Sequence, residues 1–433
     1  MSIDLVVDRE TQMPGPVDPK VIGCHTAVLA QSGSGKSFMV GRLVEEILLK
    51  AKARVIILDP NSDFVRLGDI DPKPWTKPAL TPWFFPGETA GAFASQWSRV
   101  QTVILSNRNL PKARPLRINW GALSDGERAD VMGIDRNRQP ELYWSLVLAG
   151  EVARSRWTEG IESDYDFEHF RAVADELCDY LLGTEVPDIS QHSLATNLRT
   201  LGPITPLRFR ELVYALETFE IWRSVGDGDQ DISDIVGLRA DSSSVVVVDL
   251  LSVETEPERV ALTTRTLAAL WKAAREGYSG ALRDIEDEDQ RVPTILVIDE
   301  AHNIVPTSRS SSAAERLAAD IVRIAAEGRK FGLFLLVVTQ RPRKLDLSVL
   351  SECDGLFLMK MTNSSDLKYA AETFGFLPAE AVEGAKKLKV GEVFLLGRLG
   401  GTSTVWHVAP RRTMEGGRSL DESYWTTPYP DPP

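Results

Sequence analysis

The sequence predicts an α/β protein with a central, mainly parallel sheet that carries a mainly helical insertion. Three observations carry this. Short apolar runs such as Val55–Leu58, Val245–Val248 and Ile295–Ile298 have the length and composition of strands buried on both faces. Segments of helical period separate several of them. Between about residues 124 and 225 the strand-like runs give way to helical spacing alone, as at Leu142, Leu146, Phe170, Ala174 and Leu177.

Taken in order, residues 1–20 are polar, with Pro14, Pro16 and Pro19 in their second half, and read as a lead-in arm. Ala27–Ala30 predicts a buried strand. It breaks into a small polar loop, Gln31–Gly35, and Lys36 and Ser37 open a helix with Phe38, Val40, Leu43, Val44, Ile47 and Leu48 at helical spacing. Strand, glycine loop and helix are the context of a phosphate-binding P-loop. Ser32, Gly33, Ser34 and Gly35 would let backbone N–H groups wrap around phosphates, with the helix dipole behind them. Lys36 would reach the β- and γ-phosphates of ATP and Ser37 would ligate Mg²⁺. Ser32 to Phe38 is thus the expected nucleotide-contacting run. Ala30 stands where the motif has its first glycine. The competing reading is a Gly/Ser turn that happens to precede Lys-Ser.

Val55–Leu58 ends in Asp59, with Asp63 just beyond. Ligands in open α/β sheets sit at the carboxyl ends of strands, which puts Asp59 among the candidate nucleotide contacts. A plain Asp-Pro-Asn-Ser turn is the alternative. Residues 68–100 read as irregular, Val103–Leu105 as a short strand, and 123–232 as an insertion of four to six helices. Its Arg136, Arg138, Arg154, Arg156, Arg171 and Arg199 are interleaved with acids, as on solvated helix faces. A polar linker from 225 to 243 follows, then a strand at 244–251, a helix from about 257 to 277 and an acidic loop at 280–291.

Thr294–Ile298 is an apolar strand that runs into Asp299 and Glu300. Adjacent carboxylates at the end of a buried strand are costly without a cation or donors to meet them. In P-loop enzymes the first orients Mg²⁺ and the second polarises the attacking water. The string Asp299-Glu-Ala-His302 matches the motif after which one helicase superfamily is named. No second motor domain with a terminal arginine-rich motif is found, so His302 is expected to pack or hydrogen-bond beside the site. A helix at 313–326 leads through Glu327–Gly332 to a strand at 333–339, with Gln340 at its carboxyl end. There a side-chain amide can sense a γ-phosphate or hold water. Lys330, Arg341, Arg343 and Lys344 make the densest basic group nearby; it would serve DNA, or subunit contacts and nucleotide. Strands near 356–361, 393–396 and 404–408 close the core, which divides as 21–122 and 233–411, and 412–433 reads as a C-terminal arm.

Composition sets limits. The 433 residues are 43% hydrophobic and 26% charged, as in an ordinary globular protein. The formal net charge of −13 argues against a globally basic nucleic-acid coat, though not against a local basic lining. Cys24, Cys178 and Cys353 are far apart, with no Cys-x-x-Cys, which points to a reducing compartment without disulfides or structural zinc. No run reaches the roughly 18 apolar residues of a membrane span. The N-terminus lacks a secretory pattern, and the expected location is cytoplasmic, with no membrane partner.

Together the motifs resemble the HerA-like branch of the HerA/FtsK P-loop ATPases, the bacterial and archaeal ring motors. The similar pieces, in family order, are Ser32–Ser37, Ile57–Phe64, Val297–Asn303, Glu327–Gly332 and Thr339–Pro342, with Gly391–Gly397 last. They span about residues 21–411, the insertion only loosely. The resemblance implies a RecA-like P-loop NTPase core, ATP and Mg²⁺ as cofactors, and a homo-oligomeric ring, a hexamer, with ATP at each subunit boundary. It implies that Lys36 and Ser37 serve phosphate and Mg²⁺, Asp299 the metal, Glu300 catalysis and Gln340 sensing. Arg329 would be supplied to the neighbour's nucleotide. Two departures stand out. Only about twenty residues precede the first strand, too few for the β-barrel of longer members that helps dock partner nucleases. Asp63 stands where the family has Glu. The expected function is a motor that translocates on or unwinds double-stranded DNA with a nuclease or other effector, in repair or anti-phage defence. Two alternatives are a nucleotide-dependent ring scaffold that assembles an effector without pumping DNA, and a secretion ATPase recruited to a membrane.

Overall fold

The computed structural model describes residues 4–8, 15, 17, 23–76, 89–159, 162–163, 165–200, 202–222, 230–237, 243–281, 291–307, 312–400 and 404–416. Most of the polar linker, most of the acidic loop at 280–291 and residues 417–433 lie outside the described residues.

In chain order the strands are β1 (Val6–Asp8), β2 (Thr26–Leu29), β3 (Arg54–Asp59), β4 (Gln101–Leu105), β5 (Thr158–Glu159), β6 (Glu162–Ser163), β7 (Ser244–Asp249), β8 (Thr294–Ile298), β9 (Leu333–Thr339), β10 (Gly355–Met359), β11 (Glu392–Gly397) and β12 (Val405–Val408). β5 and β6 pair antiparallel with each other. The other ten make one sheet in the order β1-β12-β11-β10-β2-β9-β8-β3-β7-β4. From β10 to β4 all neighbours are parallel, and β11, β12 and β1 extend one flank antiparallel. The parallel strands are apolar along their length because both faces are covered. Successive residues feed opposite cores: Val55, Ile57, Ile295 and Val297 face the side of helix Lys36–Lys50. Ile56, Leu58, Leu296 and Ile298 face the other.

The helical region packs on that second face. Its main helices are Asp125–Val131, Pro140–Arg156, Phe167–Leu181, Ser193–Arg199 and Ile204–Leu216. Ser124 with Glu127, and Asp166 with His169, form capping boxes that start two of them. Trp120, whose ring centroid lies 4.9 Å from Phe170, 5.1 Å from Trp222 and 5.2 Å from Phe167, anchors the region. Its apolar core is continuous with that of the sheet. Several of the arginines here pair with neighbouring acids, Arg156 with Glu176 at 2.6 Å, Arg171 with Glu168 at 2.9 Å and Arg199 with Glu185 at 2.9 Å, whereas Arg136 lies over the Tyr143 ring at 5.1 Å. These are the solvated helix faces expected. Cys24, Cys178 and Cys353 are buried. Among the described residues no helix is long and apolar enough to cross a membrane.

Three segments differ from expectation. The stretch read as a lead-in arm contributes β1, whose Val6 and Val7 are buried against β12. Its three residues are too few to show periodicity. The stretch read as irregular contains helix Ala90–Trp97, started by the Thr89 side chain accepting from Ala92 N–H. The segment Ala409–Gly416, which crosses the expected boundary between core and C-terminal arm at 411/412, is a strap across helix Lys36–Lys50, buried as far as Thr413. The Glu45 carboxylate accepts from the N–H of Arg412 at 2.9 Å and of Thr413 at 2.7 Å. Arg412 also meets Glu46 at 2.8 Å, and Arg42 meets Glu46 at 3.0 Å. Burial opposes ionisation of Glu46, but Arg42 and Arg412 outweigh it and hold its pKa below the ordinary value. The strap then reaches the loop after β3, where Met414 N–H donates to Asp69 O at 2.8 Å and Gly416 N–H to Asp63 O at 3.0 Å.

Candidate functional site

One edge of the sheet collects the chemistry. Gln31–Gly35 follows β2, Asp59 ends β3, Asp299 follows β8 and Gln340 follows β9, all at carboxyl ends of parallel strands. Because β9 lies beside β2 and β8 beside β9, Gln340 and Asp299 are carried to the same edge of the sheet as the glycine loop.

The loop itself is braced from within, by the chain that follows β10 and by the turn that enters β11. Ser34 Oγ donates to Gln31 O at 2.7 Å. Gln31 N–H donates to Lys360 O at 2.9 Å, and the Gln31 side chain accepts from Thr362 N–H at 3.1 Å. Gly391 N–H, at the entrance to β11, donates to Ser34 O at 3.0 Å. Gly35 caps helix Lys36–Lys50 at φ +91°, a left-handed conformation that glycine takes without a steric cost. The fifteen-residue helix thus points its N-terminal N–H groups out of the loop. Ser32 and Gly33 are exposed and Gly35 to Phe38 half-buried, so a bound anion has access.

Lys36 Nζ lies 2.7 Å from Asp299 Oδ1 and 2.6 Å from Glu300 Oε1. Burial works against the ammonium, but the two carboxylates outweigh it and raise its pKa. Consecutive residues of a strand point to opposite faces, so two adjacent acids should not meet one cation. The backbone resolves this: Glu300 has φ +44° and ψ +45°, the left-handed region that a non-glycine residue occupies at a cost of order 1–3 kcal/mol. The chain turns sharply off β8, and both carboxylates face Lys36. Burial, partly offset by Lys36, pushes the Asp299 pKa up. Asp299 Oδ2 and Glu300 Oε2 are buried and make no hydrogen bond among the described residues. A carboxylate oxygen with nothing to accept is a fit for a hard cation or a water.

His302 is buried beside the pair, its Nδ1 3.1 Å from Thr339 Oγ1 and 3.4 Å from Glu300 Oε2. Burial depresses its pKa, so the ring is neutral at pH 7. It hydrogen-bonds next to the site, as its place in the sequence leads one to expect.

Asp59, expected as a nucleotide contact, is occupied by the backbone of its own turn. Its Oδ1 accepts from Asn61 N–H at 3.2 Å and Asp63 N–H at 3.1 Å, and Oδ2 from Phe64 N–H at 2.8 Å. Burial raises its pKa to about 7. The turn it builds delivers Asp63, whose Oδ2 accepts from Ser37 Oγ at 2.6 Å. Of the two acids at the end of β3, Asp63 is therefore the one that touches the P-loop, at Ser37. The basic group also divides. Lys330 precedes β9 and lies over the Tyr278 ring at 5.2 Å, whereas exposed Arg341, Arg343 and Lys344 follow β9 at the opposite edge.

Arg329 sits in the turn Gly328–Phe331 at the amino end of β9, held by Asp354 Oδ2 at 2.7 Å and Glu352 O at 2.7 Å. The seven residues of β9 separate it from the carboxyl edge by roughly 20 Å at about 3.3 Å per residue. An arginine side chain cannot cross that distance to the P-loop of its own chain.

One cluster was not visible in sequence. Buried Asp249, at the end of β7, accepts from Ser62 Oγ at 2.6 Å and Ser106 Oγ at 2.7 Å, and exposed Arg108 donates to Ser62 Oγ at 3.1 Å. The signal available was an apolar strand ending in Asp, as in β3 and before Asp299.

A family model described as "Helicase HerA, central domain" matches residues 5–270. A probable helicase of Methanocaldococcus jannaschii is 24% identical over 383 residues, 87% of this chain and 61% of that protein. The DNA double-strand break repair helicase HerA of Pyrococcus furiosus is 23% identical over 398 residues, 88% of this chain and 64% of its own length. The chain thus spans about three-fifths of these relatives. Among solved structures, the bacterial conjugative coupling protein TrwB superposes with TM-score 0.54 at 14% identity, covering 93% of this chain and 89% of that one. VirB4 of Thermoanaerobacter pseudethanolicus gives 0.55 at 16% identity and 98% coverage of both. These likenesses establish a RecA-like P-loop ATPase fold.

Proposed function

The chain belongs to the family of the HerA helicase central domain, and from that premise we propose that it hydrolyses ATP to move on or unwind double-stranded DNA. We read the working form as a closed homo-oligomeric ring, a hexamer, that acts with a nuclease or other effector in DNA repair or defence against phage.

The observation that carries the reading is the separation of Arg329 from Lys36, Asp299 and Glu300 by the length of β9. Each chain offers an incomplete site at one edge and, at the other, a guanidinium held by Asp354 and Glu352 O. A ring joins the two, because the arginine then meets the neighbour's γ-phosphate and neutralises charge as the bond to it breaks. Phosphates would be met by the N–H groups of Gly33–Ser37. Ser37 and Asp299 would hold Mg²⁺, which supplies charge neutralisation on the phosphates. A triphosphate competes with Glu300 for the Lys36 ammonium. When Lys36 turns to the phosphates, Glu300 is free to take a proton from the attacking water. Gln340, at the end of the strand that lies between β2 and β8, would orient that water. The exposed Arg341, Arg343 and Lys344 group is the candidate DNA contact at this edge.

Steady-state hydrolysis with and without double-stranded DNA tests this, at about 50 and 200 mM salt, where phosphate-backbone contacts weaken steeply. The expected result is a several-fold stimulation that fades with salt and is abolished, with all turnover, in Lys36→Ala. Hydrolysis that ignores DNA would favour the scaffold reading, to which the net charge of −13 also lends weight.

A further inference from the structure

The phosphate site fixes which way a nucleotide runs. Its γ-phosphate end lies with Lys36, Asp299 and Glu300, on the β9 and β8 side of β2. The sugar and base therefore extend the other way, over the ends of β10 and β11. There the turn Lys389–Glu392 enters β11, pressed against the glycine loop. Besides the bond from Gly391 N–H to Ser34 O, a Cβ built on Gly35 would lie 3.7 Å from Val390 Cγ1.

This turn is built to hold its shape. The Glu392 carboxylate, 1% exposed, accepts from Lys389 N–H at 2.7 Å, while Glu392 N–H donates back to Lys389 O at 3.1 Å. Val408 N–H ties Gly391 O to β12 at 2.9 Å. Gly391 at φ +80° makes the bend that leaves Val390 outermost. Val390 is 64% exposed. A single exposed apolar residue ordinarily carries no meaning. This one is held rigidly, beside the phosphate loop, on the side to which the nucleoside must run.

We propose that Val390 is the apolar platform on which the base of a bound nucleoside triphosphate lies, with the Lys389–Glu392 turn as its mount. The proposal rests on the reading of Gly33–Ser37 as the phosphate site. A valine side chain offers no hydrogen bond, so the platform adds affinity for a nucleobase by removing apolar surface from water.

Inorganic tripolyphosphate separates the two claims, since it has the phosphates and no base. Equilibrium binding of ATP and of tripolyphosphate, each with Mg²⁺, is measured on the full chain, wild type, Val390→Ser and Val390→Leu. Val390→Ser is expected to weaken ATP about fivefold through the lost apolar contact and to leave tripolyphosphate within about twofold. Val390→Leu, which keeps the apolar surface, should stay within about twofold for both ligands. Unchanged ATP affinity in Val390→Ser, or an equal loss for both ligands, overturns the platform. Wild-type protein that binds neither ligand overturns the phosphate-site reading, and the platform with it.

Discussion

In Glu300→Gln, ATP hydrolysis falls by about 10²–10⁴-fold, the range that general-base contributions span, while ATP affinity is kept or improved. The geometry sets both halves of this result. Glutamine keeps the shape of the side chain and an oxygen that can accept from Lys36, now 2.6 Å from Glu300 Oε1. It cannot take a proton from water. It also releases Lys36 from one of its two carboxylate partners, so a triphosphate meets less competition for the ammonium. The left-handed backbone at this position costs glutamine what it costs glutamate, so the substitution isolates the charge from the bend. Phosphate release under saturating ATP and equilibrium ATP binding are the two measurements. Turnover within about threefold of wild type would remove Glu300 from its proposed role and leave it as a partner of Lys36 alone.

Arg329→Ala loses about 10³-fold or more in turnover, the scale of an arginine that contacts the γ-phosphate, with ATP binding nearly unchanged. Asp354 and Glu352 O hold the guanidinium at the amino edge, and no rearrangement within one chain takes it around β9. Mixing decides whether it acts across subunits. Neither Arg329→Ala nor Glu300→Gln turns over alone. In a ring assembled from equal amounts, about one interface in four joins an intact Glu300 site to an intact Arg329. Activity should therefore return to a measurable fraction of wild type. No recovery from demonstrably mixed rings would confine Arg329 to its own chain, where its contacts are structural.

What could be read from the sequence was whatever lies contiguous in it. Ser32 to Ser37 and Asp299–Glu300 are short strings whose neighbours declare strand and helix, and the structure brings Lys36, Asp299 and Glu300 together. The partition of strands and helices followed from apolar runs and helical period. What could not be read depends on which distant segments meet. Asp63 and Asp59 are both acids near the end of one strand. Only the turn geometry shows that the first touches Ser37 while the second binds three backbone N–H groups. Lys330 is eleven positions from Arg341, close in the chain, yet the strand between them sends the two to opposite edges. The Lys389–Glu392 turn has no motif of its own, and it gains meaning because β11 enters the sheet beside β10. β1 is too short for any period to show.

The order of strands has a consequence for how the protein is made. β2, which carries the P-loop, pairs only with β9 and β10, so Thr26 waits for Leu336 and Gly355. Glu45, in the following helix, waits for the strap at Arg412, 367 residues further on. At about 5–20 residues per second, a ribosome takes on the order of 20–70 seconds to supply that partner. Through this interval the Glu45 carboxylate lacks the backbone N–H donors of Arg412 and Thr413 that meet it in the fold, and the P-loop strand has no sheet to join. Assembly of the site thus comes late in synthesis, and a chain cut short before β10 and the strap carries the complete P-loop sequence without the means to fold it.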